Sequence, residues 1–318
     1  MLNAFRESSG RLERLAPADD LAAALWIDLD RPDPDEAARV ALLGVEVPSL
    51  PDMEEIELSA RLYREGDLTC LTVVLPGQSE TPDPVAGPVT FILSPERLVT
   101  VRHHAPRPFV TYPDRAARVG VGCADPDRLF LSLMEEIVGR LADLLEGSGK
   151  VLDGLAARVY RDGQATDPAA LKSALQGIGR EAEQIGRVRL ALLTLERALG
   201  FYGLGHSRKG TEGLKTTVKG LVRDINALEV HADFLSSRVA MATDATLGMI
   251  NLGQNQTIKI VSVVAVVFLP PTVIASAYGM NFEVMPELGW RFGYPMALGL
   301  MLASAVGTYL FFRWKRWL

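Results

Sequence analysis

The sequence predicts an α+β membrane protein, in which an N-terminal cytoplasmic α/β domain is followed by a long helical stalk and two C-terminal transmembrane helices. Two uncharged runs near the C-terminus, residues 260–282 and 292–312, are each long enough for a helix to cross a bilayer. Strand patterns occur before residue 103, and helical periodicity dominates after residue 125. We therefore divide the chain into a cytoplasmic α/β domain (1–124), a cytoplasmic helical domain with the stalk helix (125–257) and a transmembrane hairpin (258–318).

The composition argues against a wholly soluble protein and against a nucleic-acid-binding one. Of the 318 residues 48% are hydrophobic, and the mean hydropathy is +0.15. The formal net charge of −6 offers no basis for binding nucleic acid, which requires clustered Lys and Arg. Cys70 and Cys123 lack the spacing of a metal or disulfide site, so we expect buried, reduced thiols. The N-terminal residues carry charges throughout and are not typical of a signal peptide.

The N-terminal domain is predicted to be mixed α/β. Alternation and β-branched content predict strands at residues 24–30, 55–65, 68–76, 88–94 and 97–103. Residues 33–43 are typical of a short helix with Pro34 in its first turn. His103 and His104 follow the last strand, where adjacent side chains point in opposite directions, so we expect a surface or capping role rather than a metal site.

Three long helices are predicted after this domain. Asp-Pro pairs at 125–126 and 167–168 start helices that run to about residues 161 and 199. A third helix is expected to run unbroken from about residue 211 to Tyr278, a length of about 100 Å. Its apolar stripe repeats every three or four residues: Leu221, Ile225, Leu228, Ala232, Leu235, Val239, Ala242, Thr246 and Met249. One small domain cannot cover so long a helix, so we expect contacts with helices 125–200 and with other copies of the chain.

The hairpin is predicted to have both ends in the cytoplasm and a short external loop. Arg313, Lys315 and Arg316 follow the second span together with tryptophans, and basic residues of this kind mark the cytoplasmic side. The sequence therefore predicts a multi-pass protein of the cell (inner) membrane with lipid around both spans.

The sequence contains no catalytic constellation, and we do not expect an enzyme. It has no phosphate-binding Walker motif and no GxSxG motif, so ATP-driven pumping is not predicted. Any transport would run down an electrochemical gradient.

One face of the first span is a candidate pore lining. Its small, polar and apolar side chains lie at helical spacing: Asn251, Asn255, Ile258, Ser262, Ala265, Leu269, Thr272 and Ser276, with Val261 at the edge. From Asn255 onward we assign this face to a narrow pore, although small and polar residues also mediate helix packing in membranes. Pro270 and Pro271 deprive two carbonyl groups of helical partners, which fits either a kink or a pore-lining role.

The end of the first span carries Tyr278-Gly279-Met280-Asn281-Phe282, and Met285-Pro286-Glu287-Leu288 follows in the loop. These motifs, between two terminal spans, resemble the CorA family of divalent-cation channels. The resemblance implies a homopentamer in which the first span lines the pore and Gly279, Met280 and Asn281 form a ring at its external mouth. It also implies Mg²⁺ as the transported ion and as a cytoplasmic regulator, with Co²⁺ or Ni²⁺ tolerated. Asn281 would contact the metal ion through its bound waters, because Mg²⁺ dehydrates reluctantly.

Two groups of acidic residues are candidates for attracting or binding cations. Glu283 and Glu287 are candidates for an external acidic loop that raises the local cation concentration. Asp224, Glu229 and Asp233 are candidate regulatory residues, although Gly220 occupies the position where an Asp would favour a metal site more strongly. Two alternatives stay open: a Zn²⁺ or proton-coupled transporter of the same superfamily, and a non-conducting ligand-sensing scaffold. Met280 favours the magnesium branch.

Overall fold

The computed structural model describes residues 1–16, 20–55, 57–78, 84–118, 121–161, 168–205, 212–280 and 285–315. By its internal contacts the chain forms two compact units. The first unit comprises residues 1–156 and 176–242, and the second comprises residues 157–175 and 243–318. The predicted fold class is confirmed: an α/β domain, a long helix and two helices long and apolar enough to cross a membrane. The three-part division at residues 124 and 257 stays a prediction.

A seven-stranded mixed sheet forms the centre of the first unit. Its strands are β1 Leu2–Ser8, β2 Arg11–Arg14, β3 Trp26–Asp30, β4 Leu62–Glu65, β5 Leu68–Gln78, β6 Pro84–Leu93 and β7 Leu98–Arg102. The spatial order is β2-β1-β3-β7-β6-β5-β4, and among these described strands only β3 and β7 pair in parallel. Four predicted strands are confirmed, whereas the hairpin of β1 and β2 was not predicted.

The prediction of a strand over residues 55–65 is wrong in its first half. Residues Leu58–Arg61 form a short helix, α3, and only Leu62–Glu65 pair with β5. The Arg61 guanidinium donates to the backbone carbonyls of Glu54 and Glu55. Local side-chain-to-backbone bonds of this kind compete with strand pairing, which accounts for the error.

The two faces of the sheet bury different cores. Trp26, Leu71 and Phe91 pack on one face with the helices that follow β7, whereas Ile27, Ile92 and Val99 pack on the other. The second face is covered by α1 Pro34–Ala41 and α2 Leu50–Glu54, which contribute Val40 and Met53. The predicted helix after β3 is therefore confirmed, and Asp33 and Glu36 close its first turn as a capping box.

A buried ion pair links the two parallel strands at the centre of the sheet. Asp28 on β3 and Arg102 on β7 are 2% and 4% exposed, and Arg102 donates to both carboxylate oxygens of Asp28 at 3.1 and 2.9 Å. Thr100 donates to Asp28 and accepts from the indole of Trp26. Burial alone would lower the pKa of Arg102, but the attraction of Asp28 and Asp30 outweighs it and raises that pKa.

Beyond Leu71 strand β5 has no pairing with β4, and a side chain from a helix hydrogen-bonds to its free edge instead. The Thr194 hydroxyl accepts from the backbone N–H of Val74 at 3.0 Å. Thr194 belongs to α6, so this helix satisfies an N–H group that β4 does not reach. An unpaired N–H group at this buried position would cost folding free energy.

The remaining helices are α4 Pro108–Arg115, α5 Pro126–Arg161, α6 Pro168–Gly205, α7 Glu212–Tyr278 and α8 Gly293–Trp314. The predicted unbroken helix to Tyr278 is confirmed. In the first unit the stripe on α7 packs into its own chain's core, since Leu221, Ile225, Ala232 and Leu235 are buried with residues of α5 and α6. This confirms the expected contact with helices 125–200. These four residues are therefore covered within the chain and do not offer a surface to another copy.

Cys70 and Cys123 are buried free thiols, as expected. The expected surface role is wrong for His104, which is 4% exposed. Its ring lies against Gly77 and Gly87, where a Cβ atom on either glycine would come within 2.7 and 2.8 Å of the imidazole. Nε2 lies 2.9 Å from the carbonyl oxygen of Leu75, whereas buried Nδ1 has no partner among the described residues. Close packing against two glycines, which the local pattern does not reveal, buries this side chain.

We expect the first unit to lose stability as the pH falls below about 6.5, and His104 to contribute to the loss. Burial, and then the charge of Arg102, lower the pKa of His104 from its usual 6.5. The unfolded chain therefore takes up a proton that the folded chain resists, and stability present above pH 6.5 is lost as the pH falls toward the lowered folded pKa. One such group changes the unfolding free energy by at most about 1.4 kcal/mol per pH unit.

Denaturant unfolding between pH 7.5 and 5.5 tests this expectation. His104→Gln keeps a donor for the Leu75 carbonyl and removes the titration, so its stability should fall less steeply with acid. His231→Gln is the matched control, because His231 is exposed on α7. Equal slopes for the unmodified protein and His104→Gln would contradict the assignment.

Candidate functional site

The predicted pore face lies on the part of α7 that belongs to the second unit. Every residue assigned to it is exposed in this chain, with Ile258, Val261 and Leu269 each more than 60% exposed. The complete set is Asn255, Ile258, Val261, Ser262, Ala265, Leu269, Thr272 and Ser276. At its first turn Ile258 also borders a groove of about 400 Å³ formed with Leu171 of α6 and Met249. Beyond that turn the described part of the chain leaves the face uncovered.

The opposite face of the same helix is the covered one. Val263 is 5% exposed, and the partly buried residues after it follow at helical spacing: Val267, Pro270, Pro271, Ile274 and Tyr278. At 100° per residue the centre of this covered face lies about 170° from the centre of the candidate pore face. Helix α8 has a matching covered face that includes Gly293 and Ala297. We interpret these two faces as the packing surface of the hairpin.

The proline pair belongs to this covered face. Pro270 and Pro271 are both partly buried, and the helix continues through them to Tyr278. Of the two roles that fit the sequence, their position favours a part in hairpin packing over a part in the pore lining.

Thr272 shows what the candidate pore face offers chemically. Its hydroxyl donates to the carbonyl oxygen of Phe268 at 2.7 Å, so the hydroxyl proton is already used within the helix. The oxygen then presents its lone pairs outward as an acceptor. Water molecules bound to a cation donate hydrogen bonds, and an acceptor of this kind suits a hydrated ion.

The signature loop begins in a tight last turn. The backbone N–H of Gly279 donates to the carbonyls of Ala275 and Ser276 at 3.0 and 3.2 Å. Gly279 is not among the described glycines with positive φ, so freedom in the left-handed region is not what this position requires. A Cβ atom here would lie 3.2 Å from the Ala275 oxygen, so the requirement is a close approach to that carbonyl. Met280, the next residue, is about half exposed.

Three of the predicted site residues have no described side chain. Asn281 and Glu283 lie outside the described residues. The backbone at Glu287 forms part of a 3₁₀ turn, Pro286–Gly289, but its side chain lies outside the description.

Aromatic and basic residues mark the two ends of the hairpin. Trp290, Phe292 and Tyr294 are exposed just before and within the first turn of α8. At the other end Trp314 is exposed, and the Lys315 ammonium lies 5.4 Å from the centre of its ring. Exposed aromatic side chains at both ends are typical of the two boundaries of a membrane.

The three candidate regulatory carboxylates are exposed or partly exposed on α7 in the first unit. Asp233 pairs with Arg189 at 2.9 Å, and Asp224 lies 3.9 Å from Arg223. Burial, and then the charges of Glu196 and Asp233, raise the pKa of Glu229. Glu196 and Asp233 therefore act on Glu229 electrostatically, whereas Asp224 is not among the groups that shift its pKa. Within the described ranges no three such side chains are arranged to hold a metal ion.

Comparison with known proteins gives consistent matches over the whole chain. The model of a family described as "CorA-like Mg2+ transporter protein" matches residues 22–316. The Magnesium transport protein CorA of Yersinia pseudotuberculosis is 39% identical, and that of Escherichia coli K12 is 38% identical, each over 100% of both chains. Among solved structures, the complete CorA magnesium transporter from Methanocaldococcus jannaschii matches with a TM-score of 0.76 at 18% identity, covering 100% of this chain and 99% of that one.

Proposed function

This chain belongs to the CorA family of Mg²⁺ transport proteins, and from that premise we propose that it forms a homopentameric channel for passive Mg²⁺ uptake. It is a transporter and not an enzyme. The observation that carries the proposal is the face of α7 from Asn255 to Ser276, which the chain's own described residues leave uncovered. In a ring of copies, one such face from each subunit would enclose a narrow pore.

The chemistry of this face suits an ion that keeps its water. Mg²⁺ holds its first hydration shell tightly, and neutral acceptors can bind those waters without trapping the ion as a ring of carboxylates would. Thr272 presents such an acceptor, and Asn281 would present another at the external mouth. Gly279 and Met280 would complete the external ring with Asn281, and Glu283 and Glu287 would concentrate cations near it.

The driving force is sufficient without ATP. One charge that crosses 100 mV gains about 2.3 kcal/mol, so a divalent ion gains about 4.6 kcal/mol. A membrane that is negative inside would draw the ion inward. Arg313 and Lys315 after the second span support cytoplasmic termini, and therefore an inner-membrane protein with its signature loop outside.

Self-association is supported by a second apolar surface on α7. In the first unit Val230, Phe234 and Met241 are 71%, 57% and 63% exposed, and they lie on a different face from the buried stripe. Exposed apolar side chains on a long helix indicate a protein interface. Other copies of the same helix would cover them in a pentamer.

Regulation by cytoplasmic Mg²⁺ is a further part of the proposal. Glu229 is the best placed of the three candidates, because burial and the charges of Glu196 and Asp233 raise its pKa, and a bound cation would offset that repulsion. Asp233 is already paired with Arg189. Asp224 lies one or two turns away and supports this role less.

Flux into liposomes tests the proposed function. Full-length protein is reconstituted with an internal Mg²⁺ indicator, and the membrane potential and the proton gradient are set separately. We expect uptake to rise with an interior-negative potential and to be independent of the proton gradient, with Co²⁺ or Ni²⁺ also carried.

Two outcomes of the flux experiment would indicate a different function. Zn²⁺ uptake that requires a proton gradient would identify a proton-coupled transporter, and the absence of any flux would favour a non-conducting scaffold. Protein-free liposomes supply the leak rate for both comparisons.

A further inference from the structure

A polar cavity of about 550 Å³ lies between α4, the turn that follows it and the first half of α5. All of these elements belong to the first unit, and none of them contributes to the candidate pore face. Arginines and acidic residues line it together with Thr111 and Gly139, and we call it the arginine cavity. The arginines are Arg107, Arg115, Arg118 and Arg140, and the acidic residues are Glu135, Glu136 and Asp143.

The α4 side of the arginine cavity carries positive charge. Arg107, Thr111 and Arg115 follow one another at intervals of four residues, so they lie on one face of the helix, and Arg118 follows in the next turn. Arg115 holds Glu136 at 2.8 Å, yet its side chain is 61% exposed and keeps further N–H donors for a ligand. Arg107 and Arg118 are exposed and form no ion pair with the described residues. This side therefore presents guanidinium groups to a ligand from outside the chain.

The α5 side carries negative charge and leaves a gap in its middle. Glu135, Gly139 and Asp143 follow one another at intervals of four residues on one face of α5, and both carboxylates are exposed. Asp143 reaches Arg140 only at 4.0 Å. A Cβ atom on Gly139 would have no neighbour within 4 Å, so the floor of the cavity is open between the two carboxylates.

A ligand that suits both sides has an extended negative part and carries a cation. Guanidinium groups bind phosphate oxygens through paired, charge-assisted hydrogen bonds, and several of them along one side suit a chain of phosphates. Proteins usually hold Mg²⁺ by one or two carboxylates together with the phosphates of a ligand, and not by a cage of protein groups. The volume of the cavity lies within the range of small-molecule sites, about 300–1,000 Å³.

We propose that the arginine cavity binds an oligophosphate as its Mg²⁺ complex, either inorganic or as the phosphate chain of a nucleotide. The phosphate oxygens contact Arg107, Arg115 and Arg118, and Gly139 gives the chain room to lie across the floor. The Mg²⁺ ion arrives bound to the phosphates and is contacted by the carboxylate of Glu135, directly or through its water molecules. The site lies apart from the candidate pore face and goes beyond the proposed function, so its test needs no flux measurement.

Isothermal titration calorimetry of the full-length protein in detergent tests the site. Inorganic triphosphate is titrated at low salt, once with the same free Mg²⁺ concentration in cell and syringe and once with EDTA in place of Mg²⁺. We expect tighter binding with Mg²⁺, because the ion offsets the repulsion between the phosphates and the carboxylate of Glu135. Absence of binding in the presence of Mg²⁺ would overturn the proposal.

Two kinds of variant locate the binding in the arginine cavity. Arg107→Gln combined with Arg118→Gln should weaken triphosphate binding at least about tenfold, whereas Arg223→Gln, which removes an exposed charge from α7, should leave it unchanged. Gly139→Leu fills the floor without changing any charge and should cause a similar loss. Gly147→Leu is its matched control, because Gly147 is an exposed glycine of α5 with equally open surroundings outside the cavity. Undiminished binding in Gly139→Leu and in the arginine double variant would place the ligand elsewhere and overturn the assignment.

Glu135→Gln tests the part played by the metal ion. It should weaken triphosphate binding with Mg²⁺, since a ligand of the ion is lost, and strengthen it in EDTA, since a repelling charge is lost. A change in the same direction in both conditions would contradict binding as a Mg²⁺ complex.

Two further anions define the class of ligand. Citrate also binds Mg²⁺ but has no phosphate, and an affinity equal to that of triphosphate would overturn the assignment to phosphates. ATP distinguishes the two sources of a phosphate chain. Equal binding of ATP and triphosphate supports a site that contacts the phosphates alone, and tighter binding of ATP supports a nucleotide site.

Discussion

Replacing Asn281 with alanine is expected to lower Mg²⁺ flux by at least about tenfold while the oligomer still assembles. The substitution removes one polar acceptor from every subunit at the place where a hydrated ion would first be bound. The apolar spans that support the hairpin are unchanged, so the mass of the detergent-solubilised protein should be unchanged. Liposome flux and mass are measured on the same preparation.

Gln256→Ala is the matched control for Asn281→Ala. It removes an exposed amide from α7, on the side away from the candidate pore face. Its flux should equal that of the unmodified protein. If Asn281→Ala also conducted at the unmodified rate, Asn281 would have only a structural role.

Asn281→Asp tests whether the side chains at position 281 must be neutral as well as polar. The side chain keeps nearly the same shape, but every subunit now contributes a carboxylate to one ring. Such a ring should bind divalent ions too tightly for rapid release, or lose its discrimination against other cations. Unchanged flux and selectivity would argue against a neutral ring that contacts the ion through water.

Asp28→Ala is expected to destabilise the first unit by about 3–5 kcal/mol, because it leaves the charge of Arg102 buried without its main partner. Thr100 also loses its acceptor. Denaturant unfolding of the full-length protein, followed by the fluorescence of buried Trp26, measures the change. Glu13→Ala, which breaks an exposed pair with Arg6, is the control and should show no measurable change.

A double variant distinguishes an unpaired charge from lost packing. Arg102→Met combined with Asp28→Ala removes both charges together. It should recover part of the stability that Asp28→Ala loses, since no uncompensated ion stays buried. No recovery would indicate that the main loss comes from packing around Trp26 and Thr100 rather than from the charge of Arg102.

The helices could be predicted from sequence because their signals are local and repeated. The apolar stripe from Leu221 to Met249 recurs over several turns, and no proline interrupts α7 before Pro270, so an unbroken helix that continues into the first span follows from the pattern alone. The sheet was harder to predict. The hairpin of β1 and β2 is short and charged, and its signal is the Ser9-Gly10 turn, in which both residues have positive φ.

The candidate site was predictable only in part. Periodicity placed the residues from Asn255 to Ser276 on one face, but it did not distinguish a pore from a packing surface. The covered residues on the opposite face, such as Val263, identify a packing surface of α7, and the pore lining stays a proposal. Burial of the Leu221 stripe within its own chain was likewise a tertiary outcome, because periodicity does not reveal which partner covers a face.

The bond between Thr194 and Val74 has a consequence for how the chain is made. The two residues are 120 positions apart, so the edge of β5 must wait for α6 to be synthesised before its N–H group is satisfied. At about 5–20 residues per second, a ribosome needs about 6–24 s to add that stretch. During this interval the apolar strand has an open edge, which is a template for pairing with other nascent chains. Slow translation between β5 and α6 should therefore increase aggregation, and a holding chaperone should protect the growing chain in this window.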